Sequence, residues 1–155
     1  MESSALRDLQ VFDSRPVDRY DFAVIEKLAG YPLGAELREF LVRASGGTPA
    51  RTEFRYGNPP SGASIIQYFY AVSGSPRDID LLTNALTQLR GRIPRAALPL
   101  AEDPGGNVVL IYLDGARQGE VWYWDHDQEG DPAAQDANLH YIAKNLPGFL
   151  DSLDD

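Results

Sequence analysis

An α+β domain with a largely antiparallel sheet is the fold this sequence predicts. Helical periodicity dominates the first third, β-rich segments fill the middle, and a helical pattern closes the chain. Alternation of the βαβ kind is missing, which argues against a parallel sheet. The chain holds 155 residues, 43% of them hydrophobic, enough for one core. The expectation is a single domain over 1–155, with 1–17 as an N-terminal arm and 18–153 as the core.

Residues 1–17 lack sustained periodicity and read as an arm or a loose first strand. A helix is expected from Asp18, which caps it. Phe22, Ile25, Leu28 and Ala29 share its buried face and Gly30 ends it. Pro32 opens a second helix whose stripe is Leu33, Leu37, Phe40, Leu41 and Ala44, stopped by Ser45-Gly46-Gly47. Two strands follow, over 52–56 and 64–72, separated by the loop Asn58-Pro59-Pro60-Ser61-Gly62. A third helix is expected to start at Ser75, with Pro76 at N1, Asp78 at N3 and the stripe Ile79, Leu82, Leu86, Leu89; Gly91 closes it. Strands over 97–101, 107–113 and 120–124 come next, joined by turns at Pro104-Gly105-Gly106 and Asp114-Gly115. A short strand over 139–142 precedes a last helix, capped by Asn145, with Leu146, Phe149, Leu150 and Leu153 on one face.

Composition excludes several function classes. With no cysteine there is no disulfide framework, thiol nucleophile or thiolate zinc site, and two histidines, His126 and His140, leave little for an imidazole centre. The longest aliphatic and aromatic run, 108–113, falls far short of the roughly 20 apolar residues a bilayer span needs. Residues 1–8 hold acidic side chains and no apolar h-region, so no signal peptide is expected and the cytoplasm is the simplest address. The net charge of −9 argues against nucleic acid as partner. Its distribution is uneven: residues 1–95 carry 12 Lys/Arg and 11 Asp/Glu, whereas 96–155 carry 2 and 12, a balance of −10. Such a surface attracts basic partners and speeds their encounter at low salt; solubility alone also accounts for it.

No GxGxxG, Walker A, HExxH or GxSxG pattern occurs, so no catalytic residue is singled out, no enzyme is expected, and no cofactor is implied. The sharpest local pattern is Asp125-His126-Asp127-Gln128-Glu129-Gly130-Asp131 with Asp136 beyond it. It echoes a calcium loop with acidic oxygens at positions 1, 3 and 5, glycine at 6 and a carboxylate at 12. The final carboxylate is the shorter Asp, and the entering segment Val121-Trp122-Tyr123-Trp124 reads as a strand, which favours a solvated acidic loop over a metal site. Alternation sets Trp122 and Trp124 on one face and Tyr123 on the other. Rings not used by the core would make an aromatic patch suited to a protein partner. Arg90, Arg92 and Arg95 cluster after the third helix, where cations compensate a helix dipole.

The ordered set of segments carries a resemblance. Gly30-Tyr31-Pro32 leads into the Leu37/Phe40/Leu41 helix and Ser45-Gly46-Gly47. Ala97-Leu98-Pro99-Leu100-Ala101-Glu102-Asp103 and Gly105-Gly106-Asn107 then precede Val121-Trp122-Tyr123-Trp124-Asp125-His126, and Ala143-Lys144-Asn145-Leu146 leads to the close. This resembles the SUKH superfamily, the Smi/Knr-like domain, from about Asp18 to Leu153. The residues matching the family pattern are Pro32, Gly46, Gly47, Pro99, Asp103, Gly106, Asn107, Trp124, Asp125 and His126. Ser45 stands where the family often has Asn, and Asn145-Leu146 where it often has Ser-Phe. The resemblance implies an α+β domain, a twisted, mostly antiparallel sheet flanked by helices, without catalytic residues; bacterial members look like immunity proteins of polymorphic or contact-dependent toxin systems, which bind and neutralise a toxin domain, often a nuclease. Fungal relatives act as interaction hubs.

A nuclease toxin is commonly basic because it holds phosphates, and an acidic inhibitor can occupy that site. The expected partner-binding residues are therefore Asp125, Asp127, Glu129 and Asp131, with Glu102, Asp103 and Asp114. Two other readings stand beside this one: a regulatory scaffold that binds partners through aromatic faces, and a small-molecule or calcium-binding module in which Asp103, Asn107, Trp124 and His126 face one groove.

Overall fold

Residues Val108–Tyr112 are five apolar side chains in succession, all buried, which requires cover on both faces of the strand they form. A computed structural model, which describes residues 4–128 and 137–155, supplies that cover. The strand is the centre of a five-stranded antiparallel meander. Its order is β5 (Tyr68–Phe69), β6 (Ala97–Glu102), β7 (Val108–Tyr112), β8 (Val121–Trp124) and β9 (Leu139–Ala143). Two ribbons lie beside it: β1 (Val11–Phe12) with β2 (Thr48–Pro49), and β3 (Glu53–Tyr56) with β4 (Gly62–Ile65). The helices are α1 (Ser4–Asp8), α2 (Asp21–Ala29), α3 (Ala35–Ala44), α4 (Leu82–Gln88) and α5 (Leu146–Ser152). Helices and antiparallel sheets together make the expected α+β fold.

Register decides which side chain meets which layer. Val108 pairs with Glu102 and Trp124, so these share the face that meets Ala85 and Leu89 on and beside α4. Tyr123 points the other way, where Phe54 of β3 lies 5.5 Å from its ring and 6.3 Å from that of Phe149 on α5. Pro99 sits where the β6–β7 register shifts, an irregularity that accommodates a residue without an N–H.

The helix stripes Phe22/Ile25 and Leu37/Phe40/Leu41/Ala44 are buried as expected, and Gly30 adopts φ 84° at the end of α2. Asn145 caps α5 by accepting from the Gly148 N–H at 2.8 Å. Five expectations need correction. Pro32 does not open α3, which begins at Ala35 with Gly34 as its N-cap, so Leu33 lies before the helix. The first segment is not loose: Ala5 and Leu6 on α1 are buried and β1 pairs with β2. Asp18 does not cap α2, which begins at Asp21; its carboxylate accepts from Tyr20 N–H in the preceding turn. Residues 64–72 are not one strand. The backbone N–H of Ile66 turns to Thr52 and that of Gln67 to Glu102, dividing the run between two sheets. The third helix starts at Leu82, not Ser75. The Ser75–Asp78 box forms, with Ser75 N–H donating to Asp78 Oδ2 at 2.8 Å, but it closes a turn. Ala71 N–H then bonds the Asp80 carbonyl and Leu82 N–H bonds the Ala71 carbonyl, holding Leu81 extended. Ile79, expected on the buried stripe, is 85% exposed.

Candidate functional site

The connection from β6 to β7 is built around one carboxylate. Asp103 is 3% exposed, yet five donors converge on it. Its Oδ1 accepts from the backbone N–H of Gly105 at 3.0 Å and of Asn107 at 2.8 Å. Its Oδ2 accepts from the hydroxyls of Ser64 at 2.8 Å and Tyr123 at 2.6 Å, and from the Asn107 side-chain amide at 3.2 Å. Burial alone would raise the Asp103 pKa. The Tyr123, Asn107 and Ser64 donors outweigh it and hold the carboxyl below its ordinary 3.8. Burial, then the bond to Asp103, pushes the Tyr123 phenol up, so it stays a donor. Gly106 takes φ 83° to close the turn, a conformation that glycine adopts without strain.

The turn is tied in its turn to the end of β8. Asn107 Oδ1 accepts from His126 N–H at 2.9 Å, and His126 Nε2 lies 2.6 Å from the Gly105 carbonyl, which requires the Nε2–H form of the ring. Beyond it, residues His126–Gln128 form a single 3-10 turn. Asp125 Oδ1 accepts from Asp127 N–H at 2.9 Å, and the buried Asn138 bonds Asp125 through both its carbonyl and its side-chain amide. The result is a rigid end of the sheet on which the Asp127 side chain stands 81% exposed.

Glu102 flanks this end. One of its oxygens accepts from both the Tyr68 and the Tyr70 hydroxyls, and burial, followed by that carboxylate, raises both phenol pKa values. Glu102, Tyr70, Trp124, His126 and Arg92 line a cavity of about 240 Å³. Trp124 is 1% exposed, with Arg92 5.3 Å over its ring, and its Nε1–H has no partner among the described residues. Among the described residues no three His, Asp or Glu side chains are grouped to hold a metal ion. Asp103 is occupied on both oxygens and His126 Nε2 donates to a carbonyl, so these groups lock the turn.

The same ordered segments are matched by a family model, that of the SMI1 / KNR4 family (SUKH-1), over residues 16–152. The chain belongs to that family. A curated relative, the "SPbeta prophage-derived uncharacterized protein YokK" of Bacillus subtilis (strain 168), is 29% identical over 91 residues. That match covers 59% of this chain and 42% of the relative, so the chain spans less than half of that protein's length.

Of the residues that carried the resemblance, the fold gathers Asp103, Gly106, Asn107, Trp124, Asp125 and His126 at one end, with Glu102 and Asp127 beside them. Pro32, Gly46, Gly47 and Pro99 lie elsewhere and serve the backbone. A Cβ on Gly47, for example, would sit 2.5 Å from Val11 Cγ1 and 2.6 Å from the Phe12 carbonyl, so this glycine lets the N-terminal strand pass. Two of the expected partner-binding residues do not join the acidic surface. Asp103 faces inward and spends its charge on the turn. Asp114 follows β7 at the opposite end of the sheet, one strand length, about 16 Å, away. Glu129, Asp131 and Asp136, and with them most of the calcium-loop pattern, lie outside the described residues.

Sequence reading missed Ser64, Tyr68, Tyr70 and Tyr123 as partners of the two carboxylates. It also missed a half-exposed aromatic ladder. Trp122 lies 6.3 Å from Tyr112 and 5.7 Å from Tyr141, with the Arg117 guanidinium 4.3 Å over its ring. The alternation of Trp122 with Tyr123 signalled the face, but the partner strands were needed to assemble the ladder. No helix among the described residues is long and apolar enough to cross a membrane.

Proposed function

We propose that this chain is an immunity protein that binds and neutralises a basic toxin domain, through the acidic end of the sheet formed by Asp125, Asp127 and Glu102. Glu129 and Asp131 enter this surface on sequence alone. The observation that carries the reading is the union of charge and rigidity. The acidic excess of the chain falls in residues 96–155, and Asp127 projects from a turn fixed by the Asp103–Asn107–His126 network. Preorganised carboxylates bind a cationic partner without an ordering cost, and their field speeds the encounter. Family membership supports a protein partner, and the prophage origin of the Bacillus subtilis relative fits a role in conflict between genomes.

The test is association kinetics with the toxin domain the chain neutralises, sought first in the product of the neighbouring gene. Asp125→Asn with Asp127→Asn is expected to lower the on-rate about three- to tenfold at low salt and flatten its dependence on ionic strength. Unchanged kinetics would remove the acidic end from the interface. The aromatic ladder favours a second reading, a scaffold that recruits partners by its sheet face. Trp, Tyr and Arg are the side chains that dominate interface energetics. That reading expects binding that survives high salt and is lost in Trp122→Ala.

A further inference from the structure

A cavity of the opposite charge lies away from the acidic end, between the C-terminal ends of α2 and α4. Its volume is about 550 Å³, within the range of small-molecule sites. Leu28, Leu86 and Ile93 contribute an apolar floor, and Lys27, Arg90 and Arg95 line the same space. No described lining residue is acidic, and none of these three cations has a carboxylate partner among the described residues. In a chain of net charge −9, residues 81–101 hold three arginines and no carboxylate.

Helix dipoles account for part of this charge. Each helix C-terminus carries about half a negative charge, an effect confined to the last turn. Lys27 lies in the last turn of α2 and Arg90 directly follows the C-cap of α4, so these two offset both ends. Arg95 lies well past α4, beyond Pro94, and leaves the cavity net positive. An apolar floor under unpaired cations recognises a ligand with an apolar body and one anionic head.

We propose that this cavity binds a small amphipathic organic anion, a carboxylate or a phosphate monoester on a hydrocarbon body, with the head among Lys27, Arg90 and Arg95 and the body against Leu28, Leu86 and Ile93. The site is separate from the acidic end and does not depend on the toxin-binding reading.

The test is a titration of the full-length, isotope-labelled chain with octanoate, octyl phosphate, octanol and octylammonium, followed by amide shifts. Gly30 and Gly91 line the cavity and serve as reporters. The expected result is saturable shifts at both glycines with octanoate or octyl phosphate, at a Kd below about 1 mM. The stronger of the two identifies the head group. Octanol and octylammonium should bind about tenfold more weakly or not at all, and Arg90→Glu with Arg95→Glu should weaken the anion by about tenfold or more. Lys27→Glu, on a different element, guards against a local folding defect in the double variant, and Arg51→Glu, an equal charge change elsewhere, should have no effect. Octanol binding as tightly as the anions, shifts undiminished by both charge reversals, or failure to saturate would each overturn the proposal.

Discussion

Asp103 shows how a single side chain can be read as function and turn out to be architecture. Its neighbour in the turn, Asn107, was visible in the Asp-Pro-Gly-Gly-Asn string, because short polar residues around glycines bond their own backbone. The other two donors were not, since Ser64 and Tyr123 lie 39 and 20 residues away and meet the carboxylate only once the sheet has formed. Replacing Asp103 with Ala strands those donors in a buried site and is expected to cost about 3 kcal/mol in urea denaturation. Tyr123→Phe removes one donor and should cost about 1 to 2 kcal/mol. The pH dependence has a definite sign. The folded-state pKa of Asp103 lies below its ordinary 3.8, so its contribution is complete above that value and is lost as pH falls through the lower folded value. Wild type should therefore lose stability on acidification below about pH 4. Asp103→Asn should have a shallower slope there, measured by melting temperature against pH.

At the scale of elements, periodicity located the helices and strands but not the points where backbone bonds to another segment end them. The stripe Ile79, Leu82, Leu86, Leu89 is a sound helical pattern, and three of its four members are buried. The helix nevertheless begins at Leu82, because Ala71 takes the Asp80 carbonyl and the Arg15 guanidinium holds the Asp80 carboxylate at 2.9 Å. Nothing local to residues 75–81 announces either partner. The N-terminal segment was misread for the same reason: α1 is too short to show a period, and its stability comes from packing on α5. Gly47 is the element-scale test. Gly47→Ala drives a methyl into Val11 and the Phe12 carbonyl, and is expected to destabilise the fold by about 1 to 3 kcal/mol. The β1–β2 ribbon should loosen first, seen as faster hydrogen exchange at Ala50, whose N–H bonds the Gln10 carbonyl.

Across the whole molecule, charge and chemistry separate into distinct surfaces. The acidic end carries Asp125 and Asp127, the aromatic ladder around Trp122 occupies the sheet face toward the other end, and the cationic cavity sits between α2 and α4. The run of carboxylates after a strand pointed to the first; of the acidic residues in 96–155, Asp125 and Asp127 stand at that end, while Asp103 is buried in the turn and Asp114 follows β7 at the opposite end. The ladder and the cavity depend on residues from three strands and from two helix ends, which no linear pattern joins. These surfaces make separable predictions: salt-sensitive association should follow Asp125 and Asp127, and salt-resistant association should follow Trp122. Survival of a bacterial host tests the immunity reading most directly. The C-terminal domain encoded by the neighbouring gene is expressed with and without this chain, and with the Asp125→Asn, Asp127→Asn variant. Specific rescue by the wild type, weakened in the variant, is the predicted result; a toxic neighbour that kills equally in the presence of the wild-type chain would contradict it.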